Sequence, residues 1–74
     1  MRGKIIDVTS DGSSVYIVTQ HPRGFKLKQR ADKKDLKRFY RGRLDDAYDV
    51  MKAIPILHKK LVGGMIDVPS FGGK

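Results

Sequence analysis

The chain has 74 residues, enough for one small domain, and 39% of them are hydrophobic, which is compatible with a modest folded core. It has no cysteine, which excludes disulfides and thiolate-bound metals, and no apolar run approaches the ~20 residues of a membrane-spanning helix. The formal net charge of +8 is concentrated in residues 23–43, where ten lysines and arginines accompany only two aspartates. We therefore expect a cytoplasmic protein with a polyanionic partner and no membrane association.

The first twenty residues have the pattern of a β-hairpin. Two β-prone segments, residues 4–9 and 14–20, flank an Asp-Gly pair that favours a type I′ turn centred on residues 11–12. A two-residue turn at this point places four apolar side chains on one face of the hairpin. The predicted core face consists of Ile6, Val8, Val15 and Ile17.

A third strand is predicted from residue 25 to residue 30, after a turn that contains Pro22 and Gly24. Its side chains alternate, so that Phe25 and Leu27 face the core and the intervening residues face outward. The outward-facing residues are the cations Lys26, Lys28 and Arg30.

Two or three short helices are expected after this strand. Asp32 is a candidate N-cap for a first helix, with Phe39 in the core, and this helix should end at Gly42. A second amphipathic helix is predicted to begin near residue 43 or 44 and to end before Pro55, which then starts a third helix. The predicted inward face of the second helix is formed by Leu44, Ala47, Met51 and Ile54, with Tyr48 at its border.

The predicted fold class is α+β. A three-stranded antiparallel meander packs against two or three short C-terminal helices, and residues 65–68 are expected to add a short final strand at a sheet edge. Residues 1–68 form this single basic domain, and residues 69–74 are predicted to be a flexible C-terminal tail.

The cationic segment predicts a nucleic-acid-binding surface. If the first helix lies beside the third strand, their cations merge into one patch that neutralises phosphates without reading sequence. Tyr16, on the less apolar face of the hairpin, is a candidate for stacking on a base. The predicted nucleic-acid-binding residues are Tyr16, Lys26, Lys28, Arg30, Lys33, Lys34, Lys37, Arg38, Arg41 and Arg43.

The expected function is that of a small non-enzymatic nucleic-acid-binding protein, a regulator or accessory factor. The alternative is an interaction protein that docks its basic face on an acidic partner protein and inhibits or modulates it. A third interpretation, a solvated basic face without a partner, is less consistent with charge confined to one segment. The sequence is compatible with either DNA or RNA as the ligand, and with either a monomer or a homodimer.

No catalytic residue, metal or cofactor is predicted. Asp45 and Asp49 are four residues apart and resemble a metal-binding pair, but acids at the start of a helix have an ordinary stabilising role. The two histidines, His21 and His58, would suit RNA cleavage only if folding paired them, and nothing in their sequence context indicates this.

Overall fold

A computed structural model describes residues 1–68, which form an antiparallel sheet and two helices. The strands are β1 (Arg2–Asp11), β2 (Ser14–Gln20), β3 (Lys26–Arg30) and β4 (Met65–Asp67). The helices are α1 (Lys33–Leu36) and α2 (Ala47–Leu61). The strand order is β3-β2-β1-β4, and α2 packs mainly against β1. The α+β class and the edge position of the final strand are confirmed, whereas the helical half differs from the prediction, because it has one main helix, α2, and one short helix, α1. The tail predicted for residues 69–74 lies outside the described residues.

The hairpin turn lies one residue further along the chain than predicted. Asp11 pairs with Ser14, so Gly12 and Ser13 are the two central residues of the turn. Gly12 has a φ of 60°, and none of the non-glycine residues within 1–68 has a positive φ. A positive φ at the first central position alone is typical of a type II′ turn, which uses glycine there, rather than of the predicted type I′. The strand register implied by a turn centred on residues 11–12 is displaced as a result.

A β-bulge in β1 changes the predicted core. The pairing with β2 shifts by one residue between Ile5 and Asp7, so Ile5 and Val8 lie on the same side although they are three residues apart. Both are 2% exposed and belong to the core, whereas Ile6, a predicted core residue, is only half-buried. Strict two-residue alternation cannot place Ile5 and Val8 on one face, which is why the prediction selected Ile6.

Helix α2 continues through Pro55, so the predicted break and the separate third helix are wrong. An interior proline costs about 3 kcal/mol because it removes one hydrogen bond and crowds the preceding turn. The buried face of the helix offsets this cost, since each large aliphatic side chain gains about 1.5–3 kcal/mol on burial. That face consists of Val50, Ala53, Leu57 and Leu61.

The start of α2 also differs from the prediction. Asp46 is the N-cap, and its carboxylate accepts a hydrogen bond of 2.9 Å from the Asp49 backbone N–H. Leu44 is buried but precedes the helix, and Met51, predicted to face inward, is 61% exposed. Ala47, also predicted to face inward, is exposed, because the side chains that pack on the sheet begin with Val50 and recur from there at helical spacing.

Helix α1 has only four residues and does not reach Gly42. Its predicted N-cap is confirmed, because Asp32 accepts a hydrogen bond of 2.9 Å from the Lys34 backbone N–H. Leu36 is buried, but Phe39, predicted to lie in the core, is 40% exposed, so α1 has one buried apolar residue instead of an apolar face. A helix of this length is marginal without such a face, and it gives way to turns after Leu36.

Tyr40 and Tyr48, both in the helical second half of the chain, differ in burial. Tyr40 is partly buried and packs against the core, whereas Tyr48 is exposed and its ring lies 5.2 Å from the Lys52 ammonium. Tyr48 therefore does not border the buried face of α2. Within residues 1–68, neither helix is long and apolar enough to cross a membrane.

Candidate nucleic-acid interface

The face of the sheet turned away from α2, here called the outer face, presents the cations of β3. From Lys26 onward the alternation is as predicted, since Lys26, Lys28 and Arg30 are exposed. Phe25, predicted to start the strand and to face the core, precedes β3 and is 37% exposed. The intervening Leu27 and Gln29 are half-buried on the helix side. Successive outward residues of a strand are about 6.7 Å apart. The strand therefore carries three positive charges in a row on a rigid backbone.

Tyr16 lies beside this row. It is directly opposite Arg30 in the pairing of β2 with β3, and directly paired residues share a face of the sheet. The Lys28 ammonium is 4.9 Å from the centroid of the Tyr16 ring, a cation–π distance. The structure thus brings Tyr16, Lys28 and Arg30 together, with the aromatic ring half-buried between cationic neighbours.

Lys4 joins the outer face and was missed by the sequence prediction. It pairs with Gln20, which pairs in turn with Lys26, so the three side chains form one row across the sheet. Regular alternation would place Lys4 on the same side as Val8, but the bulge between them reverses this relation. The sequence signal for a bulge is weak, because no glycine or proline marks it.

A shallow recess connects β3 to α1. It has a volume of about 500 Å³ and brings Arg30 close to Lys33, which is half-buried at the start of the helix. Its lining residues are Ser14, Val15, Arg30, Ala31, Asp32 and Lys33. The last cation of the strand and the first cation of the helix therefore line the same recess.

The remaining predicted cations follow in and after α1. Because α1 ends at Leu36, these residues do not share the single helical stripe that was predicted. A Cβ atom added to Gly42 would lie 2.5 Å from the Tyr40 hydroxyl oxygen, so a larger residue here would require the Tyr40 ring to move. The exposed cations of this segment are Lys34, Lys37, Arg38, Arg41 and Arg43.

None of the ten lysines and arginines of residues 23–43 forms an ion pair with another described residue. The ion pair found within residues 1–68 lies elsewhere, where Arg2 contacts Asp67 at 3.8 Å. The His58 imidazole also lies 3.3 Å from the Asp7 carboxylate. The carboxylate of Asp32, which lies within the segment, caps α1 by accepting a hydrogen bond from the Lys34 backbone N–H. The positive field of the segment is consequently not cancelled by paired carboxylates.

The candidate catalytic groups have structural roles. Asp49 accepts a hydrogen bond of 3.3 Å from the Asp45 backbone N–H and donates its own N–H to Asp46, an arrangement that closes the first turn of α2. His21 is 1% exposed and its ring stacks on Phe25, with 4.3 Å between centroids. Among residues 1–68 there is no group of three or more histidines and carboxylates placed to hold a metal ion.

Comparisons with protein-family models, with curated proteins and with solved structures find no match to this chain.

Proposed function

We propose that this protein is a small non-enzymatic nucleic-acid-binding protein of the cytoplasm, a regulator or accessory factor that grips phosphates with the outer face of its sheet. The observation that supports this most directly is the row of exposed cations on β3, none of them ion-paired with another described residue. Lys4 lies on the same face, across the sheet from Lys26, and Lys33 lines a recess together with Arg30. Such a surface attracts a polyanion through counterion release and fixes no base sequence.

The ring of Tyr16 gives the surface a second kind of contact. A base that leaves its stack can pack on an aromatic ring, and such stacking contributes about 1–3 kcal/mol per base. Because Tyr16 lies among the cations, a single strand whose phosphates bind Lys28 and Arg30 would bring a base to the ring. Stacking of this kind tolerates every base.

The number of phosphates sets the expected salt dependence. Five cations are placed on or next to the outer face, and each phosphate neutralised on duplex DNA lowers the log–log salt slope by ~0.9. We therefore expect a slope of about −4.5 for duplex DNA and about −3.5 for a single strand, for which each contact contributes ~0.7. The five cations are Lys4, Lys26, Lys28, Arg30 and Lys33.

The test is a fluorescence-anisotropy titration with labelled duplex DNA, single-stranded DNA and single-stranded RNA, each at several salt concentrations. The variant Lys26→Gln/Lys28→Gln should reduce the slope by ~1.4–1.8. The matched control, Lys52→Gln/Lys59→Gln, removes the same charge from exposed positions of α2 and should leave the slope unchanged. Absence of binding at low salt, or equal losses for the two variants, would contradict the proposal.

A further inference from the structure

The free edge of β3 presents unpaired backbone groups next to the cationic side chains. β3 is the terminal strand of the sheet, so only one of its sides is paired. The Ala31 N–H donates to the Val15 carbonyl, and the His21 N–H donates to the Phe25 carbonyl, both at 2.8 Å. In an antiparallel pair of strands, every second residue forms hydrogen bonds to the opposite strand. The backbone groups of Leu27 and Gln29, which lie at the same alternate positions as Phe25 and Ala31, therefore bond to β2.

The backbone N–H and C=O groups of the other three residues therefore point away from the sheet. No hydrogen bond with another described residue involves these groups on the open side of the strand. Three N–H donors and three C=O acceptors are available there for a further strand. The three residues are Lys26, Lys28 and Arg30, whose side chains also carry the positive charges of the outer face.

We infer that this edge binds an extended acidic segment of a partner protein, which adds to the sheet as a fifth, antiparallel strand beside β3. Residues of such a strand that lie opposite Lys26, Lys28 and Arg30 share their face of the sheet. Aspartate or glutamate at these alternate positions would pair with the three cations, and the intervening residues would lie beside Leu27 and Gln29 on the less exposed side. The partner motif is thus acidic at every second residue, with small apolar residues between.

A second copy of this chain does not fit the same edge. An antiparallel pairing of two β3 strands about Lys28 would place Lys28 opposite Lys28 and Lys26 opposite Arg30. Like charges directly opposed across strands are destabilising, and lysine on an edge strand is a recognised means by which proteins prevent such self-pairing. Charge complementarity therefore selects an acidic strand over a copy of β3.

The inference depends on the backbone edge and does not require nucleic-acid binding. Its probe is a labelled synthetic heptapeptide of alternating valine and glutamate, Val-Glu-Val-Glu-Val-Glu-Val, titrated with the full chain by fluorescence anisotropy. In the antiparallel register the glutamate N–H groups face β3 and the valine N–H groups face solvent. N-methylation of the three glutamates should weaken binding at least tenfold, whereas N-methylation of three valines should change it less than threefold.

Variants of the protein provide a second test of strand addition at β3. Lys28→Pro removes the outward N–H without touching the bond pattern to β2, because proline is tolerated on an edge strand where its nitrogen faces solvent. Lys28→Gln removes the same charge and keeps the N–H. Lys28→Pro should weaken peptide binding several-fold beyond Lys28→Gln, with the folded fraction of each variant checked by circular dichroism.

These experiments distinguish strand addition by an acidic segment from nucleic-acid binding and from self-association. Equal effects of methylating glutamates and valines, or a failure of the parent peptide to bind, would overturn the strand-addition inference even if nucleic-acid binding were established. A concentration-dependent dimer in sedimentation equilibrium that disappears in Lys28→Pro would also overturn it, because the occupant would then be a second copy.

Discussion

Lys4 offers the sharpest test of the nucleic-acid interface, because only the bulge in β1 places it on the outer face. Lys4 lies in one row with Gln20 and Lys26, and it is exposed. Its side chain makes no ion pair with another described residue. The substitution Lys4→Gln should therefore remove one phosphate contact without disturbing the fold, since exposed charges contribute little to stability.

The magnitude follows from counterion release. If one fewer phosphate of duplex DNA is neutralised, log affinity falls by ~0.9 multiplied by the negative logarithm of the salt concentration. At about 0.1 M salt this amounts to an ~8-fold weaker association, and the log–log slope becomes less steep by ~0.9. At 1 M salt the same relation predicts almost no difference between Lys4→Gln and the unmodified chain.

Affinity measured against salt concentration by fluorescence anisotropy distinguishes this effect from a general loss of charge. Lys52→Gln is the matched control, because Lys52 is an exposed cation of α2, whose buried face packs on the opposite side of the sheet. The control should retain the slope of the unmodified chain. If Lys4→Gln kept the slope while Lys52→Gln reduced it, the outer face would not be the binding surface.

Three further predictions concern the fold and are measured by urea unfolding. Gly42→Ala should cost about 1–3 kcal/mol, because the added methyl group meets the Tyr40 hydroxyl, and an unchanged stability would show that Tyr40 moves aside freely. Pro55→Ala should stabilise the protein by up to about 3 kcal/mol, because it restores a helix hydrogen bond; destabilisation would show that the proline is favourable in α2. Asp46→Ala should cost about 1 kcal/mol through the lost N-cap, and Asp45→Ala less, an order that would be reversed if Asp45 were the effective cap.

Local sequence patterns correctly predicted the features that depend only on residues close together in the chain. The alternation of cations and less polar residues in β3 follows from two-residue periodicity, and the structure has the same alternation. Asp32 was identifiable as an N-cap from its side chain and its position before a helical segment. The basic row on β3 was therefore accessible from the sequence.

Elements that depend on distant contacts were predicted less well. Pro55 indicates a break locally, yet α2 continues because its buried side chains gain more from packing on β1 than the proline costs. The reverse holds for α1, where a favourable helical wheel over residues 32–41 did not yield a long helix because Phe39 lacks a buried site. In each case the length of the helix follows how many of its apolar residues are buried, and not the local sequence signal.

By itself, the amino-acid sequence determined the charge, the order of the strands along the chain and the outward row of cations on β3, since all of these follow from composition and short-range alternation. Only the tertiary structure decided the bulge in β1, the placement of Lys4 on the same face as that row and the continuation of α2 through Pro55. The physical reason is that strand register and helix length depend on side chains brought together from remote parts of the chain, and a local pattern contains no information about which of them will meet.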